Sequence, residues 1–412
     1  MALQKINQRI KSSITFILGV IILPLFASGQ KSDSVFAKDC PEAQIIRASG
    51  RQIFTTAPFG QGNLLEFSGN SANSLHYFQR EKNTAWFKFK AVTSGDFIFT
   101  IQPQNLEADF DFLLFENTGL GFCEDLLNRK VKPIRTNISR NDTLENSRTG
   151  LSLSAKHNYV KSGVGSHVSK SVTVAKGDSF YLVIDNVKGI ESTFFILFDY
   201  YTNTPISGQV HDEESHAPIK GATITWEEKS GEILAQTTTD DSGRYRMDVP
   251  IKKTKMAREY ILVANKTGHF FSEQNVKASA TDSILPISVV LPSLKKGAKM
   301  VLQNINFYGN QSIVVPQAFP SMKRLQRLMR ANKTLEITIA GHTNGCPSGK
   351  KFSKKLSEDR SETVKRYLVS QNIKADRIST IGLDCQQMIF PNPQSEEEGH
   401  INRRVEILVV AY

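Results

Sequence analysis

Three short segments near the end of the chain decide its reading: GHTN at Gly341–Asn344, LSEDR at Leu356–Arg360 and NRRVEI at Asn402–Ile407. Before the first, Leu335, Ile337 and Ile339 alternate with Glu336, Thr338 and Ala340, the period of a half-buried strand that runs out into Gly341, His342 and Thr343. A loop with Gly345, Pro347 and Gly349 follows. From about Ser353 to Ser370 the period becomes helical, with Leu356, Val364, Tyr367 and Leu368 on one stripe and Ser353 or Ser357 available as N-cap. Arg360 falls on that same stripe. A guanidinium on a core-facing stripe is costly unless it is paired or reaches a site at the rim. Two solutions follow: a buried pair with a local carboxylate such as Glu406, or a site that uses the charge.

These three motifs, in this order, resemble the OmpA-like peptidoglycan-binding domain of outer-membrane and flagellar anchor proteins, over about Val301 to Tyr412. The resemblance implies a β-α-β-α-β-β fold. Its strands would lie near Val301–Tyr308, Leu335–His342, Arg377–Leu383 and Arg404–Tyr412, and its helices near Phe319–Asn332 and Ser353–Asn372. It also implies recognition of the free end of diaminopimelate in the peptidoglycan stem peptide, one ammonium and one carboxylate on the same carbon. Such a zwitterion calls for acceptors at one end and a forked donor at the other, and arginine is the best forked donor. By motif match Arg360 takes the carboxylate, Asn344 holds the ammonium position, and Thr343, Arg403 and Asn310 support the contact. Three departures stand out: Asn344 replaces the usual aspartate, Ser353 replaces a usual asparagine, and the intervening loop is one residue longer. Asn344 keeps a carbonyl acceptor but no charge, a loss of about 1–2 kcal/mol on the ammonium contact. Lys350, Lys351, Lys354 and Lys355 in and beyond that loop favour a carboxylate-rich or polyanionic ligand.

At 412 residues the chain is too long for one core. Met1–Gly29 reads as a signal peptide: Lys5, Arg9 and Lys11, then an apolar run from about Ile14 to Phe26 broken by Pro24, then Ala27, Ser28 and Gly29 before a cut at Gln30. The alternative is an uncleaved anchor, for which the apolar run is short. No cysteine directly follows the run, so lipoprotein processing is not supported. The formal net charge of +11 includes three charges from this leader, and the remaining +8 suits anionic partners. Export and the lack of an aromatic-interleaved basic motif argue against nucleic acid. Four cysteines in an exported chain suggest two disulfides. They divide into Cys40 with Cys123 in the first domain and Cys346 with Cys385 in the last. The OmpA-like fold places the loops carrying Cys346 and Cys385 at the same end of its sheet.

From Lys38 to about Tyr201 short alternating strands, among them Ala85–Lys90, Asp96–Gln102, Asp109–Glu116, Phe180–Asp185 and Thr193–Tyr200, predict a β-sandwich of jelly-roll or immunoglobulin type. The succession KNTAWFKF, SGDFIFTI, ADFDFLLF and KGDSFYLVIDN resembles prepeptidase-C-terminal-like sandwiches of secreted bacterial proteins. Asp109 and Asp111 share one strand face, either as hard-oxygen ligands for calcium or as a solvated face opposite Phe110, Phe112 and Leu114. The polar stretch from about Asn128 to Lys170 reads as a long loop. Asn203, Thr204 and Pro205 mark a boundary. Beyond it, ISGQVHD at Ile206–Asp212, APIKGATITW at Ala217–Trp226, TTTDDSGRYRMDV at Thr237–Val249 and EYILVANKTGHF at Glu259–Phe270 resemble the carboxypeptidase regulatory-like domain, a small non-catalytic seven-stranded sandwich. His211, His216 and His269 are too scattered for a metal site. Pro292–Lys299 reads as a basic linker.

The expected organisation is therefore a signal peptide at 1–29, sandwiches at 30–203 and 204–292, a linker at 293–300 and an α+β domain at 301–412. No HExxH, GxSxG, P-loop or dinucleotide motif is present, so the chain reads as a binding protein rather than an enzyme, without cofactor or metal. Chance serine–histidine pairs near His157 and His167 are the alternative for catalysis. The leading expectation is a periplasmic, outer-membrane-associated protein that docks on peptidoglycan and needs a membrane or envelope-complex protein partner. The alternative is a scaffold component of a secretion or gliding machine, with wall binding altered or lost.

Overall fold

The computed structural model describes residues 36–412 apart from 68, 71–73, 140–146, 303–304 and 347–348, so the leader expected at 1–29 lies outside the described residues. In the first unit, a six-stranded sheet runs in the order Gln44–Ile45, Thr84–Lys90, Ser179–Asn186, Phe110–Glu116, Arg135–Ser139, Tyr159–Gly163. It faces a second sheet built on Gly95–Pro103 and Phe194–Asp212. Alternation sends Phe87, Phe89, Phe97, Phe99, Phe110, Phe112, Phe194 and Phe198 into the space between them, a two-sheet sandwich as expected. Each such ring contributes about 1.5–3 kcal/mol on burial.

The six-stranded sheet is covered on its other face too. Trp86, Leu113, Phe115, Tyr181 and Val183 point away from the sandwich core into a second cluster with Phe67, Phe78 and helix α1 (Phe122–Leu127), and the Cys40–Cys123 disulfide fastens α1 to the start of the chain. This cover overturns the solvated reading of Asp109 and Asp111: both are buried, together with Asp185 from the neighbouring strand, in a cavity of about 230 Å³ that also holds Arg80 and Lys82. Burial first, then the nearby Asp109 and Asp185, hold the Asp111 carboxyl well above its ordinary range. The polar stretch after Asn128 is also not one loop, because Arg135–Ser139, Thr149–Ser152, Tyr159–Gly163 and Val168–Lys170 are strands at the sheet edges.

Inside the cover, two carboxyl groups share a site. Glu66 accepts the Cys40 N–H and Glu81 accepts the Phe67 N–H, each at 2.8 Å, so two carboxyl groups are buried close together with little to neutralise them. Burial and the Glu66 charge push Glu81 up to about 8.

The boundary expected at Asn203–Pro205 is not a linker. Phe194–Asp212 is one strand of 19 residues: its first half pairs with Gly95–Pro103 and its second with Arg244–Lys252. Pro205 is tolerated because one strand edge is open there, between the last partner of the first unit at Tyr201 and the next at Ile206. The middle unit packs Arg244–Lys252 and the far half of the long strand against a four-stranded sheet of Ile233–Thr238, Thr223–Glu227, Arg258–Asn265 and Ser272–Ala278.

The C-terminal unit has a sheet in the order Lys299–Leu302, Val405–Ala411, Glu336–Gly341, Ile378–Gly382, with helices α2 (Phe319–Ala331) and α3 (Lys350–Ser370) after the first and second strands. This is the expected α+β order with one addition, a short helix α4 (Glu396–Asn402) before the last strand. Among the described residues no helix is long and apolar enough to cross a membrane.

The middle and C-terminal units share a core. Ile261, Val263, Phe270 and Phe271 pack with Met322, Leu325 and Met329 of α2. Within this seam Arg324 is 1% exposed and donates through Nε and Nη2 to Glu227 at 3.1 and 2.7 Å, and through Nη1 to Glu273 at 2.9 Å. Arg327 adds a contact to the second oxygen of Glu227 at 2.8 Å. The expected linker is part of this seam: Leu294 is buried, its N–H donates to Gly268, and Gly297 donates to Val409.

Two outcomes follow for stability. The folded chain holds on Glu81 a proton that the unfolded chain releases near its ordinary carboxyl range, so stability falls as pH rises from about 4.5 to about 8. Glu81→Gln removes that titrating group and flattens the decline in urea titrations across this window. Arg324→Ala leaves two carboxylates buried at the seam and lowers unfolding free energy by about 3–5 kcal/mol, whereas exposed Lys333→Ala changes it by less than about 0.5 kcal/mol.

Candidate functional site

The strand Glu336–Gly341 ends beneath α3, and the glycine of GHTN is dictated by that packing. A Cβ at Gly341 would lie 2.2 Å from the Ser357 carbonyl oxygen, and one at Gly382 would lie 2.4 Å from Ser357 Oγ. Ser357 is buried inside the helix, where its hydroxyl donates to the Lys354 carbonyl and accepts from the Asp384 N–H. The helix therefore begins earlier than expected, at Lys350 after Gly349, and neither Ser353 nor Ser357 caps it. His342, the second motif residue, is fully buried; burial and then Arg404 push it down to about 4, so it is neutral at neutral pH.

Thr343 and Asn344 continue from this strand into the wall of a cavity of about 430 Å³. Its lining includes Asn310, Thr343, Asn344, Arg360 and Arg403, so the fold gathers all five expected residues around one space. Arg360 is 4% exposed. Its Nε donates to the Gln311 carbonyl at 3.0 Å, its guanidinium lies over the Phe307 ring, and its two terminal nitrogens have no hydrogen-bond partner among the described residues. The expected alternative, a pair with Glu406, is not formed. Glu406 instead accepts from Arg404 Nε at 2.6 Å and lies 3.5 Å from His342. Burial, then repulsion from Arg403, lowers Arg360 to about 10, which leaves it charged at neutral pH.

Asn310 adopts φ +53°, a left-handed conformation that asparagine tolerates, and so turns the loop after Phe307 over the cavity mouth. Asn344 is already engaged: its Oδ1 accepts from Asn402 Nδ2 at 2.8 Å. Arg403 reaches Glu396 of α4 at 2.5 Å. Of the lysines expected to favour an anion, none lines the cavity; Lys354 reaches the Gly382 carbonyl and Lys355 pairs with Asp359 on the helix surface.

Sequence reading missed α4 and with it Glu396 and His400, which also line the cavity. The signal was present as a capping box, Ser395 to Glu398: the Ser395 side chain accepts the Glu398 N–H, and Glu398 reaches back to the Gln394 N–H. The Cys346–Cys385 disulfide joins the loops after Glu336–Gly341 and Ile378–Gly382 beside the site. The one group of three potential metal ligands within 4.8 Å among the described residues is Cys346, Asp384 and Cys385, and both its sulfurs are in that disulfide.

Two family models agree with this architecture. Residues 306–402 match the OmpA family and residues 205–278 the carboxypeptidase regulatory-like domain. The chain thus carries an OmpA family domain at its C-terminal end and a carboxypeptidase regulatory-like domain in its middle. Outer membrane porin F of Pseudomonas fluorescens is 29% identical over 108 residues, 26% of this chain and 32% of that protein. The peptidoglycan-binding protein ArfA of Mycobacterium tuberculosis is 30% identical over 105 residues, again 26% of this chain and 32% of the relative. The chain therefore spans about a third of the length of each. The solved periplasmic domain of Helicobacter pylori MotB is similar at 21% identity over 29% of this chain and 76% of that one, with a TM-score of 0.26.

Two substitutions test the scaffold of the site. Gly341→Ala drives a methyl group into the α3 backbone and lowers the stability of the C-terminal unit by about 1–3 kcal/mol in calorimetry. Replacing Cys346 and Cys385 together by serine reopens a loop closed over 39 residues and costs about 4 kcal/mol on the chain-entropy account.

Proposed function

We propose that the protein docks non-covalently on peptidoglycan through its OmpA domain, with Arg360 as the carboxylate anchor. The observation that carries this reading is the state of Arg360: a buried guanidinium with its Nε tied to backbone and its terminal fork open to the cavity. Burying a charge without an ionic partner is costly, and a ligand carboxylate compensates it with two parallel charge-assisted bonds. A relative that is itself a peptidoglycan-binding protein supports the choice of ligand. Thr343, Asn310 and Arg403 shape the remainder of the wall, and Asn344 supports the site from the side. The role is binding rather than catalysis, in the periplasm and associated with the outer membrane, and the two sandwiches present surfaces to an envelope partner. A second reading, a machine scaffold with altered ligand preference, is favoured by one observation: the ammonium position is an uncharged Asn344 whose oxygen is already used by Asn402.

Sedimentation with purified diaminopimelate-type sacculi tests the reading. Wild-type protein cosediments, and Arg360→Ala weakens binding by at least about tenfold, the worth of a charge-assisted bond of about 1.5–3 kcal/mol. Arg360→Lys keeps the charge without the fork and falls between them. Absence of wild-type binding would favour the scaffold reading.

A further inference from the structure

The ligand end proposed above is a zwitterion, and this inference rests on that reading. A site that holds only its carboxylate leaves the ammonium to strip off water without compensation. Asn344 has no charge to offer, and its Oδ1 already accepts from Asn402. Among the described residues lining the cavity there is one carboxylate, Glu396. The geometry points to Glu396, on the added helix α4, as the acceptor for the ligand ammonium, in the place of the aspartate that position 344 lacks.

Three features place this side chain. The Ser395 cap starts α4 at Glu396, which lines the cavity. Asn402 fixes the other end, accepting the Phe390 N–H at 2.9 Å and donating to Asn344 at 2.8 Å. Gly399 lets the helix approach, since a Cβ there would lie 3.0 Å from Asn344 Nδ2 and 3.3 Å from Arg403 Nη1. The carboxylate itself is oriented rather than buried: its Oε1 accepts from Arg403 Nη2 at 2.5 Å and lies 3.5 Å from His400 Nε2, while Oε2 has no protein partner among the described residues. Arg403 is thereby a positioning residue, holding Glu396 at the rim.

The charges then match the ligand. Arg360 and Arg403 without Glu396 would prefer a bare carboxylate, whereas a carboxylate at the rim rewards an ammonium next to it. The opposite role is also chemically coherent: Glu396 could stand over Arg403 as an internal plug that the ligand must displace. The two roles predict opposite signs.

Full-length protein is sedimented with intact diaminopimelate-type sacculi and with the same sacculi after acetylation of their free amines, which removes the ammonium and leaves the carboxylate. Wild-type affinity falls about tenfold on acetylation, the difference between a charged and a neutral hydrogen bond. Glu396→Gln binds intact walls about tenfold more weakly than wild type and is indifferent to acetylation. Adding Asn344→Asp to Glu396→Gln restores both affinity and sensitivity to acetylation. Glu396→Gln that binds intact walls as well as or better than wild type, or that keeps its sensitivity to acetylation, overturns the assignment while leaving wall binding intact. Failure of the wild type to bind either wall overturns the peptidoglycan reading and this inference with it.

Discussion

The arrangement of this chain depends on a buried ion network, Arg324 held by Glu227 and Glu273 with Arg327 beside it. Each of these charges is costly alone in the seam, and together they are satisfied only when α2 lies against the four-stranded sheet of the middle unit. Ionic seams of this kind add less to stability than apolar packing of equal area, but they tolerate one register. The neighbouring apolar contacts, Phe270 and Phe271 against Met322, could slide by a residue; the guanidinium between two carboxylates could not. The position of the OmpA domain on the middle unit therefore follows from charge geometry more than from the backbone that joins them.

Much of this was legible in the sequence where one period dominates. The strand around Ile337 alternates cleanly, and the three C-terminal motifs carried the fold and four of the five cavity residues, with Asn310 coming from the loop after Phe307. The misreadings have a shared cause. Asp111 and Leu294 are residues whose environment is set by chain segments far away in sequence: the Phe67–Phe78 cover and the seam to the middle unit. The strand alternation suggested a solvated face for Asp111 and the lysines around Leu294 a linker, and tertiary packing overrode both. Helix α4 was missed for a different reason, because seven residues give too few turns for a period to show, and only the Ser395–Glu398 cap announces it.

At the site itself, sequence and structure divide the work. The strand and α3 deliver Thr343 and Arg360, with a glycine at 341 that the Ser357 carbonyl demands. Helix α4 adds a glutamate and a histidine to a cavity that the motifs line with two arginines, and Arg403 contacts the glutamate.

The long strand Phe194–Asp212 has a mechanical meaning. Its two halves belong to different sheets, and its hydrogen bonds run across the chain direction, so a pull along it loads many bonds in shear at once rather than opening them one by one. The seam closes the other junction, so the middle unit is held on both sides by hydrogen bonds and packing. A pull on the first sandwich is thereby passed to the middle unit through a continuous strand rather than a tether.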